Sequence, residues 1–135
     1  MPTAPLIAYA HVGKSFDDGR GAGRVVAVDD VSLQVAEGEF LAIVGGSGSG
    51  KTTLLRLANR LIEADSGRIT VEGADISTVD PVQLRRRIGY VFQSGGLFPH
   101  MSVADNIGIT PKLLGSPAAE ISADVDELLD LVRLD

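Results

Sequence analysis

One segment of the chain combines glycines, hydroxyl side chains and a lysine at a spacing suited to holding a phosphate group. Residues 45–52 read GGSGSGKT, which fits the pattern G-x-x-x-x-G-K-[ST] of a phosphate-binding loop. Glycines let the backbone turn successive N–H groups toward a phosphate, and a helix that begins at the loop adds partial positive charge. We therefore predict a nucleotide-phosphate site in this segment.

The residues of this loop have separate expected roles. Lys51 is expected to place its ammonium against the β- and γ-phosphates, and the Thr52 hydroxyl to coordinate Mg²⁺. Thr53 can add an N–H or hydroxyl contact. The other phosphate-contacting residues are expected to be Gly45, Gly46, Ser47, Gly48, Ser49 and Gly50. By chance the pattern arises in about one of two hundred chains of this composition, so a plain glycine-rich turn is the weaker interpretation.

Three other interpretations of glycine-containing segments fit less well than this loop. A dinucleotide-binding fingerprint needs its glycines at a different spacing and has no use for Lys51. Residues 13–15, GKS, imitate the end of the phosphate pattern, but Ala8 stands where its first glycine belongs. Residues 94–96, SGG, are interpreted as an ordinary turn. Residues 45–52 are therefore the predicted phosphate loop.

Positioning the loop requires a strand before it and a helix after it. Phe40–Val44 is a continuous apolar run, typical of a strand covered on both faces. From about Gly50 to Ile62, leucines recur at helical spacing. The loop therefore lies between a predicted buried strand and a predicted helix.

The remaining pattern predicts several further elements. Strands are expected at residues 6–12, 31–35, 68–71 and 88–92, with flexible turns at 17–23 and 72–73. Helices are expected after the N-cap pair Asp80–Pro81, from Ser102 to about Ile109, and over Asp124–Val132. Strands that alternate with helices indicate an α/β fold with parallel pairing.

Composition narrows the functional classes. The 135 residues are 44% hydrophobic and 22% charged, with no cysteine and a formal net charge of −6, which is typical of a soluble globular domain. The acidic balance argues against nucleic acid as a partner. Absence of cysteine excludes disulfides and thiolate metal sites, and His11 and His100 have no matching ligand cluster. No apolar run approaches a membrane span and no secretory signal is present, so we expect a cytoplasmic protein.

Beyond the loop, the order of segments resembles the ATP-binding subunits of ABC transporters over residues 6–135. Phe16 matches the family's aromatic residue that stacks on adenine, residues 45–52 match its Walker A loop, and Gln93 matches its Q-loop glutamine. Taken alone, Phe16 would be read as core packing and Gln93 as an exposed strand end. The resemblance implies a P-loop NTPase fold of the ABC ATPase type with an N-terminal antiparallel β subdomain. It also implies that ATP and Mg²⁺ bind, and that Gln93 helps to hold Mg²⁺ and the attacking water.

A narrower resemblance is to the ATPase subunits of osmoprotectant importers, which take up glycine betaine, choline, carnitine or proline. It is carried by residues 59–63, 80–93, 96–107 and 111–115. The resemblance implies a membrane permease that docks near Gln93–Asp105, with Phe98, His100 and Met101 as candidate contacts. It also implies a second ATPase subunit in a head-to-tail dimer, and a peripheral location on the inner face of the cell membrane.

Three motifs that complete an ABC ATPase do not occur in these 135 residues: the signature loop LSGGQ, a Walker B strand ending in Asp-Glu, and the switch histidine. We therefore expect a partial nucleotide-binding domain, truncated before the signature motif. Its β subdomain and P-loop core would span about residues 1–93, and the Q-loop and the start of a helical subdomain about residues 94–135. Little or no ATPase activity is expected from the chain alone. A catalytically silent nucleotide-binding module and a non-functional fragment remain alternatives. A small P-loop kinase or GTPase fits less well.

Overall fold

The computed structural model describes residues 4–19, 21 and 23–134, which divide into two compact units, Met1–Gly89 and Tyr90–Asp135. The first unit contains β1 (Ile7–Asp17), β2 (Arg24–Val35), α1 (Lys51–Ala58), β3 (Ser66–Val71), β4 (Ala74–Asp75), a 3₁₀ turn (Ile76–Thr78) and α2 (Pro81–Arg86). The second contains α3 (Val103–Leu114) and α4 (Ala118–Val132). In the described part of the chain, no helix combines the length and apolar character that crossing a bilayer requires.

A four-stranded sheet in the order β2-β1-β3-β4 forms the framework of the first unit. All of its pairings are antiparallel, and Tyr9 of β1 lies opposite Leu33 on one side and Ile69 on the other. The predicted turn over residues 17–23 connects β1 to β2, although its Arg20 and Ala22 lie outside the described residues. The antiparallel N-terminal sheet agrees with the family resemblance, whereas the parallel pairing expected from the alternating pattern is absent from the described residues.

The core of the first unit lies between this sheet and α1. Leu57 of α1 and Val12 of β1 are almost completely buried, at 1% and 0% exposure. The other buried residues of this core are Tyr9, Val28, Leu54, Ala58, Ile69, Val71, Ile76 and Leu84. Burial of these apolar side chains is the main favourable contribution to the folding of this unit.

Side-chain hydrogen bonds to the backbone stabilise the start of α2 and the segment that follows α1. Asp80 caps α2 by accepting a hydrogen bond from the Gln83 backbone N–H, with Pro81 at the first helical position, as predicted. Helix α1 ends at Ala58, before the predicted Ile62, and the Arg85 guanidinium donates to the backbone carbonyl oxygens of Asn59 and Arg60. The Arg87 guanidinium in turn pairs with the Glu72 carboxylate.

Two predicted strands were wrong for the described residues. Neither Phe40–Val44 nor Ile88–Phe92 is a strand, and Phe40, Val44 and Val91 are 93%, 89% and 94% exposed. A strand needs a neighbour to accept and donate its ladder hydrogen bonds. The described residues supply no such neighbour to either segment, so Phe40, Val44 and Val91 stay uncovered, whereas Ile88 packs against the core of the first unit.

The second unit is a pair of helices. Ser102 caps α3 as predicted, by accepting from the Asp105 backbone N–H at 3.1 Å. Helix α3 continues past Ile109 to Leu114 with Pro111 inside it, and α4 begins at Ala118 rather than at Asp124. The two helices approach closely at Gly108, where an added β-carbon would lie 3.1 Å from Ile121 Cγ2.

Candidate functional site

The predicted phosphate loop leads directly into α1. Its residues turn back on themselves, with the Ser49 backbone N–H donating to the Gly46 carbonyl oxygen at 3.3 Å. Gly48 and Gly50 adopt left-handed backbone angles, φ 80° and 86°, which residues with a β-carbon rarely adopt. The glycine pattern is thus matched by a backbone that needs glycine at these positions.

Lys51 folds its side chain back against this loop. Its Nζ atom donates to the carbonyl oxygens of Gly45 and Gly46 at 2.9 and 2.6 Å, and to Ser49 Oγ at 3.3 Å. The ammonium therefore sits beside the loop at the first residue of α1, where the helix leaves backbone N–H groups without intrahelical partners. A positive charge beside free backbone donors is the arrangement that binds a phosphate.

Gly50 also allows the loop to lie against β2. An added β-carbon at Gly50 would collide with the carbonyl oxygen of Ala27. Ala27 is the extra residue where the β1–β2 register shifts, since Lys14 pairs with Val28 but Ser15 pairs with Val26. The start of α1 is therefore packed against a β-bulge, and an open groove of about 380 Å³ between β2 and the loop includes Lys51 in its lining.

Tyr9 anchors the same helix from the sheet. Its hydroxyl donates to the Leu54 carbonyl oxygen at 2.9 Å, and burial raises the pKa of Tyr9 to about 12. Thr52, by contrast, is exposed at the second position of α1, where its hydroxyl is accessible to a ligand.

Phe16 lies in the first unit, near the end of β1, and is 41% exposed. The Lys14 ammonium lies over its ring, with Nζ 5.4 Å from the ring centroid. A partly exposed aromatic ring beside a cation is suited to stacking against a planar base, and it is not buried in the core as its hydrophobic type alone would suggest.

Gln93 belongs to the second unit and lies exposed at a bend. In the following loop, the Phe98 and His100 rings meet edge to face with centroids 6.0 Å apart. Asn106 organises this loop from α3: its side chain accepts from the Phe98 backbone N–H at 2.7 Å and donates to the carbonyl oxygens of Phe98, Met101 and Ser102. Phe98, His100 and Met101 are thus part of one ordered turn.

Sequence reasoning missed Asp65 and Asn106 as organising residues. Asp65 contacts Lys14, Ser15 and Arg24, residues at least 41 positions away along the chain. No periodicity or spacing rule connects such distant positions. Asn106 does carry a local signal, because it follows the capping residues Ser102 and Asp105 and lies one helical turn beyond Ser102.

Comparison with known proteins places these features in a family context. The family model described as ABC transporter matches residues 28–135. The glycine betaine/carnitine/choline transport ATP-binding protein OpuCA of Bacillus subtilis is 51% identical over 129 residues, which is 96% of this chain and 33% of that protein. The spermidine/putrescine import ATP-binding protein PotA of Mesorhizobium japonicum is 46% identical over 100% of this chain and 37% of its own length. The chain therefore spans about a third of these relatives.

A solved structure also matches the fold. It is a dimeric ATP-binding cassette in a post-hydrolysis state, bound to ADP and Pi, with a TM-score of 0.85 and 26% identity. The match covers 96% of this chain and 58% of that one. The predicted fold class, an ABC-type ATPase fold with an antiparallel N-terminal sheet, is confirmed.

Proposed function

Because the chain belongs to the ABC transporter family, we propose that it is part of an ATP-binding subunit that couples ATP binding and hydrolysis to solute import. The observation that carries this proposal is the position of Lys51, whose ammonium lies against the carbonyl oxygens of Gly45 and Gly46 at the start of α1. When a triphosphate binds, its oxygens would replace these carbonyls as partners of the ammonium, and the helix N–H groups would supply further donors.

The bound nucleotide would be held at three places. The backbone of residues 45–50 and Thr53 would contact the phosphates, and Phe16 would stack on the adenine. Thr52 would hold Mg²⁺ through its exposed hydroxyl, together with Gln93, which would also hold the attacking water. When bound, Mg²⁺ would supply positive charge that neutralises the charge developing on the phosphates during transfer.

Nucleotide binding and hydrolysis make different demands on this chain. Hydrolysis needs placement of the metal and activation of the water in addition to phosphate binding. The 135 residues contain no signature loop, no Walker B Asp-Glu and no switch histidine. We therefore propose that the chain alone binds MgATP and turns it over slowly or not at all.

Calorimetric titration of the purified chain with MgATP tests the binding step. Lys51→Ala should weaken binding at least about tenfold. Lys112→Ala is the matched control, because it removes the same charge from α3 and should leave affinity unchanged. Equal affinity of the parent and Lys51→Ala would overturn the proposal, and rapid turnover by the parent would overturn the statement on hydrolysis.

The proposed partners are a second ATPase subunit, arranged head to tail, and a membrane permease that docks near Gln93–Asp105. The ordered turn at Phe98–Met101 supports this docking site, because Asn106 holds its backbone in one conformation. Docking at the permease would place the protein on the inner face of the cell membrane.

Quaternary-amine osmoprotectants are the proposed transported solutes. The 51% identity to the glycine betaine/carnitine/choline protein supports them. The test is uptake of labelled glycine betaine and labelled spermidine in cells with and without the gene. Loss of glycine betaine uptake alone is expected, and loss of spermidine uptake alone would assign the polyamine class instead.

A further inference from the structure

Asp65, in the loop between α1 and β3, gathers three partners from the β1–β2 hairpin. Its carboxylate accepts from Lys14 Nζ at 2.7 Å, from the Ser15 backbone N–H at 2.8 Å and from the Arg24 guanidinium at 3.3 Å. Lys14 and Ser15 precede Phe16 on β1, and Arg24 of β2 pairs with Asp17, the residue that follows it. Asp65 therefore connects the segment that follows the phosphate-loop helix to the segment that carries the aromatic ring.

The contact with Ser15 falls where the β1 ladder is irregular. The β1–β2 register shifts between Lys14 and Ser15, and an irregular ladder holds its strand less firmly than a continuous one. The Asp65 carboxylate accepts from the Ser15 backbone N–H at this irregular point, and Phe16 is the next residue. The backbone position of Phe16 is therefore fixed partly by the side chain of Asp65, which lies outside the hairpin.

The contact with Lys14 fixes one side of the Phe16 ring. The Lys14 side chain is only 16% exposed and is held by Asp65, while its Nζ lies 5.4 Å from the ring centroid. A lysine side chain with no partner would sample many rotamers. The ion pair restricts those rotamers and keeps the cation over the ring, which limits the positions that the ring itself can take.

We propose that Asp65 is a positioning residue for nucleotide-base recognition, which acts by holding Lys14 and the Ser15 backbone so that Phe16 presents its ring to the adenine. The inference rests on the proposed function, since it assumes that Phe16 stacks on the base of a nucleotide bound at residues 45–53. Under this proposal, Lys51 contacts the phosphates, whereas Asp65 affects binding of the base through Phe16.

The test compares two ligands that share phosphates but differ in the base. Affinities of the chain for MgATP and for inorganic tripolyphosphate with Mg²⁺ are measured by calorimetry for the parent and for Asp65→Asn. The variant should bind ATP about threefold to tenfold more weakly, which is part of the roughly fivefold to 150-fold that stacking of a base on an aromatic ring provides, because the ring is displaced and not removed. Its tripolyphosphate affinity should not fall. Any difference in how the loss of charge acts on these two polyanions is measured with Glu63→Gln, which removes the same charge, so the change in the affinity ratio relative to this control isolates the base.

Three further variants complete the experiment. Lys14→Met keeps the length of the side chain and should lower the affinity ratio in the same direction. In a Phe16→Ala background, Asp65→Asn should have no further effect on the ratio. Glu63→Gln removes a nearby carboxylate that pairs with Arg60 at 2.8 Å instead, and it should leave the ratio unchanged.

The possible failures are distinguishable. If Asp65→Asn leaves the ratio at the parent value, or weakens both ligands equally, the positioning role is overturned, although Lys51-dependent ATP binding stands. If ATP binding does not depend on Lys51, the proposed function itself fails. Retention of the parent's far-ultraviolet circular dichroism by Asp65→Asn shows that any change in the ratio is not caused by unfolding.

Discussion

The hydroxyl of Tyr9 donates a 2.9 Å hydrogen bond to the backbone carbonyl oxygen of Leu54, 45 residues further along the chain. Tyr9 lies in the middle of the sheet and Leu54 lies one turn into the helix that follows the phosphate loop. The bond is buried, because Tyr9 and Leu54 are 7% and 8% exposed. The sheet therefore sets the position of this helix through a directional contact as well as through apolar packing.

We expect Tyr9→Phe to lower the free energy of unfolding by about 1 kcal/mol, because it removes the donor and leaves a buried carbonyl without that partner. Urea unfolding followed by circular dichroism measures the change. Tyr90→Phe removes the same atom from a half-buried tyrosine in the second unit and serves as the control. Equal effects of the two substitutions would contradict the assigned role of the Tyr9 hydroxyl.

Gly50→Ala should be far more disruptive than Gly46→Ala. Gly50 has φ 86°, and its new β-carbon would collide with the Ala27 carbonyl oxygen, whereas a β-carbon at Gly46 meets nothing within 4 Å. A left-handed alanine costs about 1–2 kcal/mol before the collision is added, while Gly46→Ala should change stability by less than about 0.5 kcal/mol. Thermal unfolding of both variants checks the difference, and a destabilised Gly46→Ala with an unaffected Gly50→Ala would refute it.

Arg85→Ala should destabilise the first unit. Its guanidinium donates to the carbonyl oxygens of Asn59 and Arg60 after the end of α1, and hydrogen bonds from a charged donor contribute about 1.5–3 kcal/mol. We expect a loss of about 1–2 kcal/mol in urea unfolding, because Arg85 is exposed and water partly replaces these hydrogen bonds when the side chain is removed. The neighbouring substitution Arg86→Ala, at an exposed position, should have little effect. Similar losses in both variants would indicate that charge, and not this contact, stabilises the unit.

The stabilisation provided by Asp65 should disappear in acid. The hydrogen bond from Lys14, followed by that from the Ser15 backbone, lowers the pKa of Asp65 below 3.8. The ionised carboxylate is thus favoured in the folded state, so its contribution is complete above the ordinary pKa of 3.8 and is lost as pH falls through the lowered one.

The melting temperature of the parent should therefore exceed that of Asp65→Asn at about pH 7, and the gap should narrow below about pH 4. Lys14→Met, which removes the main cause of the lowered pKa, should show a smaller pH dependence than the parent. A gap that stays constant across this range, or widens in acid, would show that the carboxylate charge is not responsible.

Local patterns in the sequence predicted local features. The phosphate loop, the caps at Asp80 and Ser102, the turn before Arg24 and the turn at Glu72–Gly73 all depend on residues within a few positions of one another. The family resemblance added the antiparallel N-terminal sheet. Helix α3 shows the limit of these local rules, since its predicted end was about Ile109 but the helix continues to Leu114 with Pro111 inside it.

Strand formation at Phe40–Val44 and Ile88–Phe92 was decided by tertiary structure. Their apolar composition determined that they require cover, but a strand exists only where another strand completes its hydrogen bonds. The ring of Phe16 and the ammonium of Lys51 were likewise visible in the sequence as candidates for base and phosphate contacts. Only the tertiary structure brought Asp65 to Lys14 and Ala27 to Gly50, because these contacts join residues whose separation along the chain carries no periodic signal.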